Sequence, residues 1–300
     1  MPANVSHLRA IFYALAGFTL WVLTDTGIKL AAAAGLPPYE VIGFLGAVGM
    51  LFMLIKTLPR GAGAVRALWP RRAGAQSGMS LLALGCNLCN VVALKHLPLT
   101  IFYIVVFTAP MIIALLATWF LRERLNTAKI AAILAGFAGV VVAIDPGGAP
   151  AGNTMGYVAG FGSVLFFASN MVGSRALAQS ENPESLTFFN GLFQAGLCLA
   201  PAVYFFVPMT AKTFFILLAA GLLNVIANLL IYKALKHTAA ANVAPFHYTQ
   251  LLSGAVIGWL IWHEMPTAHL VVGAIVIVAA GLAIAAEAQR AEKLAMIKPP

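Results

Sequence analysis

The sequence predicts an all-α polytopic membrane protein of ten transmembrane helices in two inverted five-helix repeats. Three observations predict it. Hydrophobic residues make up 61% of the 300 and charged residues only 9%, against roughly 25% charged in a soluble domain, so the chain cannot cover a water-facing surface. The apolar residues gather into runs of about 20, the length at which a helix crosses a bilayer. Finally, one segment is written twice. Asn87 to His96 reads NLCNVVALKH, and 141 positions later Asn228 to His237 reads NLLIYKALKH. At the same offset Thr108 meets Thr249 and Glu123 meets Glu264. Five spans per copy is an odd number, so the second copy enters the membrane from the opposite side, which is how many transporters are built.

Span 1, residues 9–33, is too long for the apolar core of a cleavable signal and contains Asp25 and Lys29, so it reads as a retained helix. Span 2, 39–58, carries Gly43, Gly46 and Gly49, small residues that let backbones approach in lipid. The following loop, 59–76, holds four arginines and two prolines and is expected to be cytoplasmic and mobile. Span 3, 77–95, bears Asn87 and Asn90; span 4, 99–121, is interrupted by Pro110; span 5, 128–144, bears Ala135 and Gly139. A turn-rich joint, Asp145 to Gly152, divides the chain into repeats 1–148 and 149–300.

Span 6, 154–178, carries Gly156 and Gly160 as G-x-x-x-G, and spans 7 to 10 cover 184–207, 212–236, 240–262 and 268–286. Pro245 interrupts span 9 as Pro110 interrupts span 4. A proline inside a helix removes one donor and kinks it, so both are candidate hinges. The first halves of the copies align at an offset of 145: Trp21 with Phe166, Asp25 with Asn170, Pro38 with Pro183, Phe44 with Phe189 and Gly46 with Gly191. The small-residue stripes suit packing within the bundle or a homodimer, so monomer and homodimer both stay open.

A net charge of +9 raises the question of nucleic acid, but no basic face is concentrated on one element. With the N-terminus in the cytoplasm, fifteen of the 18 Lys and Arg lie inside, and only Lys29, Lys95 and Lys212 lie outside. The positive-inside rule then places both termini in the cytoplasm, in a bacterial inner membrane. The basic excess faces anionic membrane lipids. Cys86 and Cys89 form a C-x-x-C without nearby ligands and read as packing residues. There is no P-loop, no G-x-S-x-G, no H-E-x-x-H and no paired carboxylate at mid-depth. Neither an enzyme nor a bound cofactor or metal is expected.

Polar side chains inside a span are costly and turn inward. Near mid-depth these are Trp21, Asn87, Asn90, Thr108, Asn224, Asn228, Thr249 and Gln250, with Asp25 and Tyr103 toward the outside. Asn190 and Gln194 are the exceptions on span 7. Phe166 and Tyr248 add aromatic surface. The candidate substrate-binding residues are therefore Trp21, Asn87, Asn90, Tyr103, Thr108, Phe166, Asn224, Asn228, Tyr248 and Gln250. Amides donate to carboxylates and accept from ammonium groups, and aromatic rings stack on flat ligands or face cations. A small zwitterion or neutral metabolite fits such a lining; a multiply phosphorylated substrate does not, for want of Lys or Arg at mid-depth.

Each residue has a plainer reading beside this one. Asn and Thr bridge helices in membranes. Asp25 and Lys29, four apart, pair along one helix face, or Asp25 serves in coupling. His247 is a satisfied interior histidine or a coupling residue that titrates near neutrality. Glu123 and Glu264 suit the positive N-termini of spans 5 and 10, where Thr127 and Thr267 are candidate caps.

The repeat endings carry a family resemblance. Trp119-Phe120-Leu121-Arg122-Glu123-Arg124-Leu125 followed by Ile133 to Val141, and Trp259-Leu260-Ile261-Trp262-His263-Glu264-Met265-Pro266 followed by Gly273 and Gly281, resemble the ends of two EamA repeats. The chain resembles the drug/metabolite transporter superfamily over nearly its whole length. The resemblance implies ten helices in a 5+5 arrangement, with a cavity between spans 1, 3, 4, 6, 8 and 9. It further implies export of amino acids or related metabolites, as in exporters of the YddG type. An importer of a vitamin or adenosyl cofactor is the nearest alternative, and a non-transporting receptor or scaffold is another.

Overall fold

Helix starts in this chain follow its start signals. The structure, a computed structural model, describes residues 3–109, 111–113, 115–116, 127–144, 153–237, 249–265 and 267–297. Among these residues ten helices have eight residues or more. Copy one supplies α1 (Ala3–Ala33), α2 (Pro38–Thr57), α3 (Ala73–His96), α4 (Leu99–Val106) and α5 (Thr127–Ile144). Copy two supplies α6 (Thr154–Ser180), α7 (Pro183–Tyr204), α8 (Ala211–His237), α9 (Thr249–Trp262) and α10 (Ala268–Ile297). The repeat-equivalent prolines Pro38 and Pro183 both open their helices, where the missing N–H costs nothing. Asn153 caps α6 by accepting from the Gly156 amide at 3.0 Å, and Asn182 caps α7 through the Glu184 amide at 3.3 Å. Thr267 accepts from the Leu270 amide at 3.3 Å, the cap expected of it at α10.

α4 stops at Val106, four residues before Pro110, where a proline ring meets the carbonyl of residue i−4. A turn at Phe107 and Thr108 follows. The Thr108 hydroxyl donates to the Val105 carbonyl at 2.7 Å. Pro110 itself, like Pro245, His247 and Tyr248, lies outside the described residues.

The helix pairing repeats itself under exchange of the copies. α1 packs along α8, and its counterpart α6 packs along α3, the counterpart of α8; α2 lies on α7, α4 on α9 and α5 on α10. The closest approach falls at aligned positions. A Cβ on Gly46 would lie 2.8 Å from the Gly191 carbonyl, and a Cβ on Gly191 2.8 Å from the Gly46 carbonyl. Two equivalent glycines thus touch across the α2–α7 contact, where any side chain would force the backbones apart.

Apolar side chains also cover the outside. Phe12, Leu51, Ile55, Leu134, Leu165, Leu199 and Ile275 are each half or more exposed, an arrangement suited to hydrocarbon rather than water. Five helical stretches, Pro38–Arg60, Ala73–His96, Thr154–Ser174, Pro183–Tyr204 and Ala211–Lys236, have the length and hydropathy to cross a membrane. The α2–α3 loop differs from its expected mobility. It forms a 3-10 turn at Leu58–Arg60 and a short helix at Ala62–Arg66. Leu68, 2% exposed, packs into a core cluster with Met53, Phe188, Val225 and Leu229. Both carboxylate oxygens of Glu181 hold the loop by accepting from the backbone amides of Arg71 at 3.1 Å and Arg72 at 2.9 Å.

Candidate substrate cavity

A cavity of about 100 Å³ lies where α1, α2, α3, α4, α6, α8 and α9 meet. α1 contributes Trp21, Thr24 and Asp25; α3 contributes Cys86, Asn87 and Asn90; α4 contributes Phe102 and Tyr103. From the second copy come Ser163 and Phe167 on α6, Asn224 on α8 and Gln250 on α9. The fold therefore brings together seven of the sequence-derived candidates: Trp21, Asp25, Asn87, Asn90, Tyr103, Asn224 and Gln250. Small-molecule pockets run to about 300 Å³ or more, so this cavity is smaller than those and has room for several waters.

The lining is rich in acceptors. Tyr103 donates its phenol to Asp25 Oδ2 at 2.8 Å. Gln250, 2% exposed, donates Nε2 to the Phe18 carbonyl at 3.2 Å, while its Oε1 has no partner among the described residues. Ser163 donates to Asn90 Oδ1, and Asn90 Nδ2 lies 3.9 Å from Cys86 Sγ. The cysteines are free thiols. Among the described residues Asp25 brings the only carboxyl group in the lining, and no Lys or Arg reaches it.

Other candidates stand elsewhere. Asn228 does not line the cavity; one turn from Asn224, it donates to that residue's carbonyl at 2.8 Å and Oδ1 at 3.0 Å. Thr108 is fully buried and its hydroxyl bonds within its own segment. Phe166 is 38% exposed and its ring faces Gly85, where an added Cβ would lie 3.1 Å away. Its neighbour Phe167 lines the cavity instead. On α7, Gln194 bonds Asn190 at 3.2 Å. Ser163, Thr24 and Phe167 were not singled out from the sequence. A hydroxyl two helical turns before Asn170 on a span already expected to face inward was the available signal for Ser163.

Above the cavity two expected contacts are replaced by longer-range ones. The intrahelical Asp25–Lys29 pair does not form. Lys29 Nζ instead meets Glu264 Oε1 at 2.7 Å, 4.4 Å from the centre of the Trp262 ring. Long Lys side chains reach along a helix toward its end, which carries Lys29 away from Asp25. Glu264 likewise serves α4 rather than α10. Its Oε2 accepts from the Leu99 amide at 3.0 Å, and Oε1 from the same amide at 3.2 Å. A carboxylate at the N-terminus of a helix meets free amides and the positive dipole end. Sequence order favoured α10, whose start follows Glu264; the turn at His263, with φ of 54°, aims the carboxylate across the bundle. Glu264 therefore joins the two copies at this face, here called the Lys29 face. The opposite face carries Arg60, Arg71 and Glu181.

Inverted pairing of two copies about a shared polar cavity is a construction that many membrane transporters share. The EamA-like transporter family model matches residues 8–144 and again 154–286, and the chain belongs to that family. It is 29% identical over 274 residues to a pseudopaline exporter of Pseudomonas aeruginosa, covering 90% of this chain and 93% of that protein. It is also 29% identical to a riboflavin transporter of Rhizobium johnstonii, covering 95% and 93%. An S-adenosylmethionine uptake transporter of Rickettsia bellii is 23% identical over 62% of this chain and 64% of its own length. A crystal structure with 20% identity superposes with a TM-score of 0.68, covering 94% of this chain and 98% of that one. That likeness concerns the fold alone.

Proposed function

We propose that the protein is a secondary transporter of the bacterial inner membrane that exports amino acids or related small metabolites by alternating access. The observation that carries this reading is the lining of the shared cavity, which among the described residues holds one carboxylate, several amides, a free acceptor at Gln250 Oε1 and no cationic side chain. An ammonium group finds Asp25 and Gln250, while a carboxylate finds amide donors at Asn87 and Asn224. Trp21, Phe102 and Phe167 supply the apolar walls. Repeats 1–148 and 149–300 are the units that rock about the cavity. Opening at the Lys29 face requires parting Glu264 from Lys29 and Leu99. With 15 of 18 basic residues on one side by count, that face is the periplasmic one and both termini are cytoplasmic.

A second reading has one observation in its favour. Aromatic walls at Trp21, Phe102 and Phe167 suit a flat ring, and two of the relatives are transporters of riboflavin and of S-adenosylmethionine. Counterflow in proteoliposomes separates the readings. Vesicles are loaded with one unlabelled amino acid at a time, and entry of labelled threonine, methionine or phenylalanine is followed. Saturable accumulation suppressed by competing amino acids supports the first reading. Absence of amino-acid flux, with counterflow of riboflavin or S-adenosylmethionine, replaces it with the second. No saturable flux of any of these from folded protein points to a receptor or scaffold.

A further inference from the structure

We infer that the face opposite Lys29 carries a second binding site, separate from the substrate cavity, for a phosphate-bearing anion. The site lies between the α2–α3 loop of copy one and the α6–α7 turn and α8 end of copy two. It is a cavity of about 610 Å³ lined by Arg66, Trp69 and Arg71 from the loop, Ser180, Glu181 and Asn182 from the end of α6 and the turn after it, and Lys236 from α8.

The charge balance there is uneven. Among the described residues two carboxylates, Glu184 and Glu181, serve this corner. Glu184 is taken by Lys56 at 2.6 Å and Arg60 at 3.2 Å. Glu181, 6% exposed, spends both oxygens on the backbone amides of Arg71 and Arg72. The side-chain charges of Arg66, Arg71 and Lys236 consequently have no carboxylate partner among the described residues. Three exposed cations against one lining carboxylate, Glu181, leave the cavity net positive and attractive to an anion.

The cavity is also pre-shaped. Leu68 is buried in the core beneath the loop. The Trp69 ring stands edge-on to Phe189 with centroids 5.2 Å apart, and Glu181 fixes the backbone at Arg71. Ordering has therefore already been met by contacts that do not involve the ligand, which favours binding. Arg forks pair with phosphate oxygens in two parallel bonds, and Lys236 adds a point charge. The Asn182 amide nitrogen offers a neutral donor beside them, while the Ser180 hydroxyl already donates to the Leu177 carbonyl at 3.3 Å. Bound there, an anion would bridge the two copies and favour the conformer in which this face is closed. The same chemistry is offered by an anionic lipid headgroup at the membrane surface and by a soluble phosphate ester.

The test uses the full-length protein in phosphatidylcholine nanodiscs, with thermal midpoint as the readout. One arm titrates glycerol 3-phosphate into the buffer; the other replaces part of the lipid with phosphatidylglycerol. Either ligand should raise the midpoint. The triple variant Arg66→Gln, Arg71→Gln, Lys236→Gln should need about tenfold more ligand or greater for the same rise, because charge-assisted bonds to phosphate are lost. Lys212→Gln, at the Lys29 face, should respond as the parent does. A rise with phosphatidylglycerol alone assigns the site to a headgroup, and a rise with glycerol 3-phosphate alone assigns it to a soluble ester. No rise in either arm, or an equal rise in the triple variant, overturns the site. Should the triple variant fail to fold, Arg71→Gln alone decides, since its backbone bond to Glu181 is kept: a weakened response supports the site and an unchanged one removes it.

Discussion

α1 and α6 hold equivalent places in the two copies, yet they carry different chemistry. At aligned positions α1 has Asp25 and Lys29 where α6 has Asn170 and Ser174. The α1 pair reaches away from its own helix: Asp25 to Tyr103 beside the cavity, and Lys29 to Glu264 across the copies. The α6 pair stays local. Asn170 donates to the Met79 carbonyl of α3 at 2.6 Å, and Ser174 donates back to Asn170 at 3.3 Å. Duplication thus supplied two like helices. One uses the position to fasten α6 to α3, while the other presents a charge to the cavity and a lock to the Lys29 face. Ionisable groups in a membrane interior are costly and mark function; neutral amides there serve packing as readily.

The sharpest way to break this comparison is to remove the lock. Glu264→Ala leaves Lys29 without its partner and the Leu99 amide without its acceptor. Lys29 and Glu264 side chains are 12% and 17% exposed, so the pair is largely shielded. Breaking a buried pair from one side costs about 3–5 kcal/mol, the upper bound here because some water reaches both groups. A clear fall in thermal midpoint of the purified protein is expected, with Lys29→Met, Glu264→Met recovering much of it. If the single variant melts as the parent does, Glu264 does not bind the copies together.

Asp25→Asn comes next. Asparagine still accepts the Tyr103 hydroxyl, so the fold should persist while the charge goes. A hydrogen bond to a charged group is worth about 1.5–3 kcal/mol, so counterflow of a cationic or zwitterionic substrate should fall roughly 10- to 100-fold. Flux imposed against a pH gradient should also lose its pH response if Asp25 carries the coupling proton. Full flux with an intact pH response would reduce α1 to the local role of α6.

How far the site could be read in advance follows from what a sequence encodes directly. Five of the spans were legible, Pro38–Arg60, Ala73–His96, Thr154–Ser174, Pro183–Tyr204 and Ala211–Lys236, because an apolar run of bilayer length admits few other structures. The Gly46–Gly191 contact was legible in part, since both residues occupy aligned positions on a repeat-equivalent pair of helices. Position along each span was legible too, and seven polar or aromatic candidates meet at one cavity. Direction around each helix was not. Phe166 and Phe167 are neighbours in sequence but about 100° apart around the axis, and only the packing of α6 on α3 selects which faces inward. Thr108 and Asn228 sit at the right depth, but each finds a partner on its own segment, an option always open to short polar side chains. The Lys29–Glu264 tie was hidden for another reason. The two residues are 235 positions apart, and only the inverted pairing of the copies brings α1 and α9 together at one face.

The smallest expected effect falls on α6, and it is the control that gives the larger ones meaning. Asn170→Ala removes the hydrogen bond to the Met79 carbonyl and the acceptor of the long Ser174 bond. Interhelical bonds of this kind in membranes are worth about 0.6–2 kcal/mol, so the thermal midpoint should drop slightly while counterflow per folded molecule stays within about twofold of the parent. The contrast matters because α1 and α6 occupy equivalent positions in the fold. Were Asn170→Ala to abolish flux as Asp25→Asn does, both helices would feed the same step, and the charge on α1 would not be what distinguishes them. A modest loss of stability with retained flux leaves the division of labour standing, with Asn170 fastening α6 to α3 and its counterpart Asp25 facing the cavity.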